Sequence, residues 1–327
     1  MYCTRIFIAA LLIGIVTVPA VAQDRVTFRD HAAKGPQTAS GKIESESLAG
    51  IKIAGRTVPI ADVIDVQYDV PGAIKLEYPR AIAAESRSPA EAISTYEGLL
   101  KSPSVQNNPA IKRHVEYRIA MLTAARGEEG REQRQKAITA LTKFKADHKD
   151  AWQLLPLTRT LARLYLDREP PDYEAARKAF EELAAAPGAP PEVKLESTLQ
   201  AIDLLLAAGK LDEAKQKAAA LPASDPRAKV YLLGCQPGST AAGQLEEMID
   251  KTGDRAVKAS AYNMLGDVYR RDPKTKKDAV YAYLWVDVIY NDDPAQVAKA
   301  DDRLASLFAE LKDEERAKKF RDKVRGK

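Results

Sequence analysis

The 327-residue chain is 45% apolar and 29% charged, with 19 Pro and two Cys, proportions that exclude a disordered chain, a collagen and a disulfide-stapled miniprotein. Lys and Arg number 50 against 46 Asp and Glu, a net charge of +4. Residues 312–327 carry that entire excess, so no basic face remains elsewhere to attract nucleic acid.

Residues 1–22 read as a secretory signal peptide. Arg5 forms the basic start, residues 6–18 an apolar stretch, and Ala20-Val21-Ala22 a small-residue cleavage site before Gln23. The apolar stretch is shorter than the ~20 residues that a membrane-spanning helix needs. Removal of this segment leaves Cys235 as the one thiol. No internal disulfide is then available, and Cys235 is expected to be a buried structural thiol.

Residues 23–70 alternate at strand spacing. Val26 and Phe28, Ile43, Ile51 and Ile53, Val58 and Ile60, and Val63, Ile64, Val66 and Tyr68 mark five short strands. Gly35-Pro36, Gly41, Gly50 and Gly55 separate them. A segment this small is predicted to close as a five-stranded SH3-like or Sm-like β-barrel docked on the helical remainder of the chain. Val26-Thr-Phe-Arg29-Asp30, Gly41-Lys-Ile43, Gly50-Ile-Lys-Ile53 and Ile64-Asp-Val66-Gln-Tyr68 together resemble a segment found at the start of exported bacterial proteins. The family's short turn after the first strand is replaced here by a longer Ala/Gly/Pro stretch.

After a linker at Val70-Pro71-Gly72 the periodicity becomes helical. Helices are predicted at 89–101, 109–126, 129–147, 153–168, 173–186, 192–208 and 211–221. They continue at 227–233, 241–251, 255–271, 275–290, 295–311 and 314–324.

Within this stretch Tyr262-Asn-Met-Leu265-Gly266-Asp-Val-Tyr269, followed by Ala279, Tyr283 and Pro294, resembles the tetratricopeptide repeat, a helix-turn-helix unit of ~34 residues. Leu161, Ala162 and Tyr165 with Ala176 and Phe180 repeat the logic. So do Tyr117, Ala120 and Ala124 with Ala137, Leu141 and Phe144, the turn from Gly209 to Ala214, and Leu304, Ala305, Phe308 and Ala317. Equivalent first-helix positions fall at Tyr117, Thr158, Thr198, Tyr262 and Asp301. The units are longer than standard, and the wide gap before Tyr262 is predicted to hold a degenerate hairpin between Pro226 and Gly253. The resemblance covers residues 80–325 and implies a mainly α fold, a right-handed α-solenoid of helix hairpins with a concave surface.

Patterns that carry chemistry are absent. The sequence has no HExxH, CxxC, EF-hand or GxSxG motif, and Gly234-Cys-Gln-Pro-Gly238-Ser-Thr lacks the Lys and spacing of a phosphate loop. His31, His114 and His148 read as solvated or loop residues, and Trp152 and Trp285 as core between repeats. No cofactor or metal is expected. The tetratricopeptide resemblance implies that first-helix positions facing the concave surface bind an extended peptide or a helix. Those positions hold Arg118, Arg159, Arg163, Asp203, Asn263, Asp267, Arg270 and Asp302. The Lys/Asn pattern that clamps a C-terminal carboxylate in some members is missing from them.

The resulting expectation is an exported, periplasmic or envelope-associated, non-enzymatic scaffold that binds protein partners. The alternative is an accessory subunit or enzyme with a site where the β segment meets the first hairpins, near Asp30, His31 and Lys34. A structural part of an envelope assembly, which would self-associate, is a third.

Overall fold

The computed structural model describes residues 23–30, 33 and 35–324; the expected signal peptide, His31 and Lys34 lie outside the described residues. Six strands, β1 (Asp24–Phe28), β2 (Gln37–Gly41), β3 (Ile43–Ser47), β4 (Gly50–Ile53), β5 (Arg56–Val58) and β6 (Val63–Gln67), open the described chain. They form two antiparallel three-stranded sheets, ordered β2-β1-β6 and β3-β4-β5. This corrects the expected closed five-stranded barrel.

The additional strand, β2, lies in the stretch that the sequence presents as a long turn. Its residues, Gln-Thr-Ala-Ser-Gly, carry no large apolar side chain. Pairing with β1 from Asp24↔Gly41 to Phe28↔Gln37 makes it a strand, a long-range cause that local composition does not encode. The chain then passes to the second sheet through Gly41, at φ +156°. The Asp24 carboxylate ties the passage down by accepting from the Ile43 and Asp69 amides, both at 2.8 Å. Val26, Phe28, Leu48, Ile51, Ile53, Val58, Ile60 and Val66 are buried and belong to a core that continues into the helices.

Among the described residues fifteen α-helices come next. These are α1 (Glu77–Ala84), α2 (Pro89–Leu100), α3 (Pro103–Gln106), α4 (Pro109–Ala125), α5 (Arg131–Asp147), α6 (Leu154–Leu166), α7 (Tyr173–Ala184) and α8 (Pro191–Ala207), then α9 (Leu211–Ala219), α10 (Pro226–Gly234), α11 (Gly238–Lys251), α12 (Arg255–Arg271), α13 (Asp278–Val288), α14 (Pro294–Glu310) and α15 (Glu314–Val324). Thirteen correspond to the predicted helices; α1 and the single turn α3 are additional. Pro79 masks α1 in the sequence, yet it sits in the first turn, where amides have no intrahelical acceptor and a missing N–H costs nothing. Asn108, Asp172, Asp225, Asp254 and Asp293 cap α4, α7, α10, α12 and α14 by accepting first-turn amides. None of the described helices is long and apolar enough to cross a membrane.

From α4 onward each helix packs against the next, and α4 also touches α6, α10 touches α12 and α12 touches α14. Among the described residues, buried side chains of the sheets and of α1 to α7 form one continuous core, from Val26 to Val193; two further clusters span Leu199–Ala282 and Ala259–Phe320, and a small one joins Ala162, Ala176, Phe180, Ala201 and Leu204. α10 and α11 occupy the predicted gap, and Cys235 between them is buried.

Gly266 marks a close approach of α12 to α13. A Cβ there would lie 2.4 Å from the Tyr283 ring, and Tyr283 is fully buried with its hydroxyl bonded to Asp267 at 2.8 Å. Helix propensity alone predicts that Gly266→Ala stabilises by ~1 kcal/mol. The overlap reverses the sign, and urea denaturation is expected to show a loss of about 1–3 kcal/mol.

Candidate functional site

The candidate residues sit on α4, α6, α8, α12 and α14, and the structure separates them into paired and unpaired groups. Arg118 on α4 is paired. Its guanidinium donates to Glu85, just past α1, and lies 3.5 Å from Asp65 on β6, while the Tyr96 hydroxyl donates to the same Glu85 at 2.5 Å. Burial opposes the charge on Arg118, and Glu85 outweighs it, so the guanidinium holds its proton more tightly than usual. One turn earlier Arg113 pairs with Glu46 of β3, which also accepts from the Tyr68 hydroxyl at 2.6 Å. The Asp150 carboxylate accepts from the Leu48 amide at 3.3 Å. These contacts anchor the sheets on the helices, so the polar groups at this junction converge on one another.

His114 lies among them. It is 2% exposed and packs against Tyr68, Tyr78 and Tyr117, with ring centroids 4.9, 6.4 and 6.4 Å away. It is therefore a core histidine, in correction of its reading as a solvated one. Burial first, then the positive charges of Arg118 and Arg113, push its pKa down to about 3. His148 closes α5 with its Nε2 2.7 Å from Glu116.

In the C-terminal half, the acidic candidates turn inward. Asp203 on α8 accepts from the Tyr231 hydroxyl at 3.1 Å and from Lys299 Nζ at 2.7 Å, and both partners of the ion pair are under one-tenth exposed. Asp267 on α12 accepts from Arg303 Nε at 2.7 Å as well as from Tyr283. Burial works to raise the Asp267 carboxyl. Arg303, Lys299 and the Tyr283 hydroxyl together keep it below the usual carboxylate range. Asn263 is fully buried and donates to the Gln296 backbone and side chain at 3.0 and 2.9 Å. Arg270 pairs with Glu310, which Lys276 shares. Lys299 and Arg303, four apart on α14, thus bridge α8 and α12 and fill this part of the face. Neither is among the positions that the repeat resemblance picks out; the signal that could have found them is two cations at i, i+4 spacing on α14.

Arg159 and Arg163 differ. Both are exposed on α6, one turn apart, and neither guanidinium has an ion-pair or side-chain hydrogen-bond partner among the described residues. The opposite face of α6 buries Leu154, Leu157, Leu161 and Leu164, which holds the helix firmly and aims the two cations outward. Asp302 on α14 is also exposed. Among the described residues, one open surface depression runs along α5 beside Gln135 and Thr139 and another lies between α10 and α11 beside Leu233 and Met248; no candidate residue lines either. Among the described residues no group of three His, Cys, Asp or Glu is placed to hold a metal.

Trp152 is buried as core, packed on Tyr117 at 5.8 Å. Trp285 is not: it is 45% exposed on α13, in correction of its reading as core. No protein-family model matches the chain, and a search of curated proteins gives no match.

Proposed function

We propose that the chain is an exported, non-enzymatic scaffold of the bacterial cell envelope, a tetratricopeptide-type solenoid that holds a protein partner along the exposed face of α6. The observation that carries this reading is the pair Arg159 and Arg163, two exposed guanidiniums without internal partners on a firmly packed helix. The other candidates, apart from Asp302, are engaged within the fold. Packing of alternate helices, α4 on α6 and α12 on α14, and the contact of Gly266 with Tyr283 support the repeat assignment. Two guanidiniums one turn apart fit an extended acidic segment or the acidic face of a helix, which they would grip through charge-assisted hydrogen bonds.

The test is crosslinking of the tagged full-length chain in cells beside its Arg159→Glu/Arg163→Glu variant. The expected outcome is capture of a defined envelope protein and, with that protein purified, a loss of affinity of at least roughly 30-fold in the variant. Equal capture by both forms would remove α6 as the working surface.

A further inference from the structure

Asp301 on α14 is buried, and the carboxyl of Asp287, on the neighbouring α13, stands within hydrogen-bond reach of it. One cation serves both: Lys323 Nζ, in the last turn of α15, donates to Asp287 and, at 3.1 Å, to Asp301. The Asp287 side chain is 14% exposed and that of Lys323 44%. The charges of the surrounding elements turn elsewhere. Lys299 and Arg303 of α14 pair with Asp203 and Asp267, and Arg270 of α12 with Glu310. Arg255 and Lys258 of α12 lie against Tyr290, with Arg255 paired to Asp292. On α15, Arg316 and Arg321 pair with Asp313 and Glu314, while Lys318, Lys319 and the Asp302 side chain of α14 are exposed.

Two carboxylates withdrawn from water against one ammonium leave the site one negative charge in excess. Burial lifts the Asp301 carboxyl above the usual carboxylate range; Lys323 opposes the rise and the charge of Asp287 adds to it. The folded chain therefore takes up this proton at a higher pH than the unfolded chain does, so acid favours the folded state through this group. A proton on Asp301 donates to Asp287 and makes the bridge that the ammonium otherwise makes. Proton and ammonium are thus rival bridges, and by linkage each weakens the hold of the other.

The end of α15 depends on which bridge is in place. Ala317 and Phe320 bury the helix in the fold, and the Phe320 ring stacks on Phe308 at 5.7 Å. Beyond Phe320 none of its described side chains is buried, so Lys323 ties the last turn, residues 321–324, to α13 and α14. We propose that Asp287 and Asp301 form a proton-controlled fastening for the end of α15: the Lys323 ammonium bridges them at neutral pH, and a single shared proton replaces it on acidification and frees the last turn. This device is independent of the α6 reading.

Two readouts on the full chain test it. In a carbon-13 titration of the Asp carboxyls, with Asp301 assigned from Asp301→Asn, the Asp301 signal is expected to titrate above the ordinary carboxylate range. Lys323→Met is expected to move it further up by removing the rival bridge, and Asp287→Asn to move it down. Hydrogen exchange, corrected for its intrinsic pH dependence and referenced to the amides of α14, is expected to become about fivefold or more faster in the last turn of α15 between pH 7 and pH 4. In Lys323→Met the same amides are expected to exchange fast at both pH values. An Asp301 signal at or below the ordinary range, or one that falls in Lys323→Met, overturns the shared proton. A last turn indifferent to acid, or an acid response that persists in Lys323→Met, overturns the fastening.

Discussion

Lowering the pH from 6.5 to 5 is expected to destabilise the folded chain by about 2 kcal/mol through His114 alone. An unfolded histidine takes up its proton near pH 6.5, whereas the buried ring of His114 resists it until about 3. Between those values the unfolded chain binds the extra proton and the folded chain does not. The contribution is thus fully present above pH 6.5 and is lost at ~1.4 kcal/mol per unit as the pH falls toward 3. The cause is physical: a charged imidazole would sit among Tyr68, Tyr78 and Tyr117 with Arg113 and Arg118 nearby, out of water and beside like charge. Urea denaturation at pH 7 and pH 5, on the wild type and on His114→Gln, isolates the effect. The wild type should lose about 2 kcal/mol more than the variant over that interval. Equal losses would mean that water reaches the ring. The buried carboxylate of Asp267 adds to acid sensitivity only at lower pH, because its folded pKa lies below the usual range.

Removing Lys299 is expected to have an effect of similar size. Lys299→Met leaves the Asp203 carboxylate buried with only the Tyr231 hydroxyl to satisfy it, a loss of about 3–5 kcal/mol. The double variant Asp203→Asn/Lys299→Met removes the stranded charge while keeping an acceptor for Tyr231, and should recover at least half of that loss. This pair joins positions 96 residues apart in the chain, so the single variant is also expected to speed amide exchange at the facing ends of α8 and α14. A single variant within about 1 kcal/mol of wild type would show that the pair is hydrated and exchangeable.

These two predictions rest on residues whose roles were legible to different degrees. Asp203 and Asp267 could be placed on one face from spacing alone, as could Arg159 and Arg163. Whether each faced water or a partner could not. The decision came from Lys299 and Arg303 on α14, which the chain brings against α8 and α12 only after folding. His114 is similar. A histidine on a helix carries no local mark of burial, and its environment comes from Tyr68 at the end of the β segment and from Tyr78 and Tyr117. Trp285 misled in the opposite direction, because a tryptophan in a largely apolar helix reads as core, while folding leaves it 45% exposed with its ring stacked on Tyr262.

By itself the sequence determined the helical periodicity, the turns that divide it, the capping residues and the order of a small β segment before helices, since these depend on contacts within a few residues. Tertiary structure decided the rest. It made a strand of the polar residues Gln37–Gly41 by pairing them with β1 and split the sheet in two. It neutralised Arg118, Asp203 and Asp267 with partners remote in the chain, and left Arg159, Arg163 and Trp285 exposed. The physical reason is the same in each case: burial and charge pairing are set by whichever groups arrive from a distance, and spacing along the chain records only which face a residue occupies.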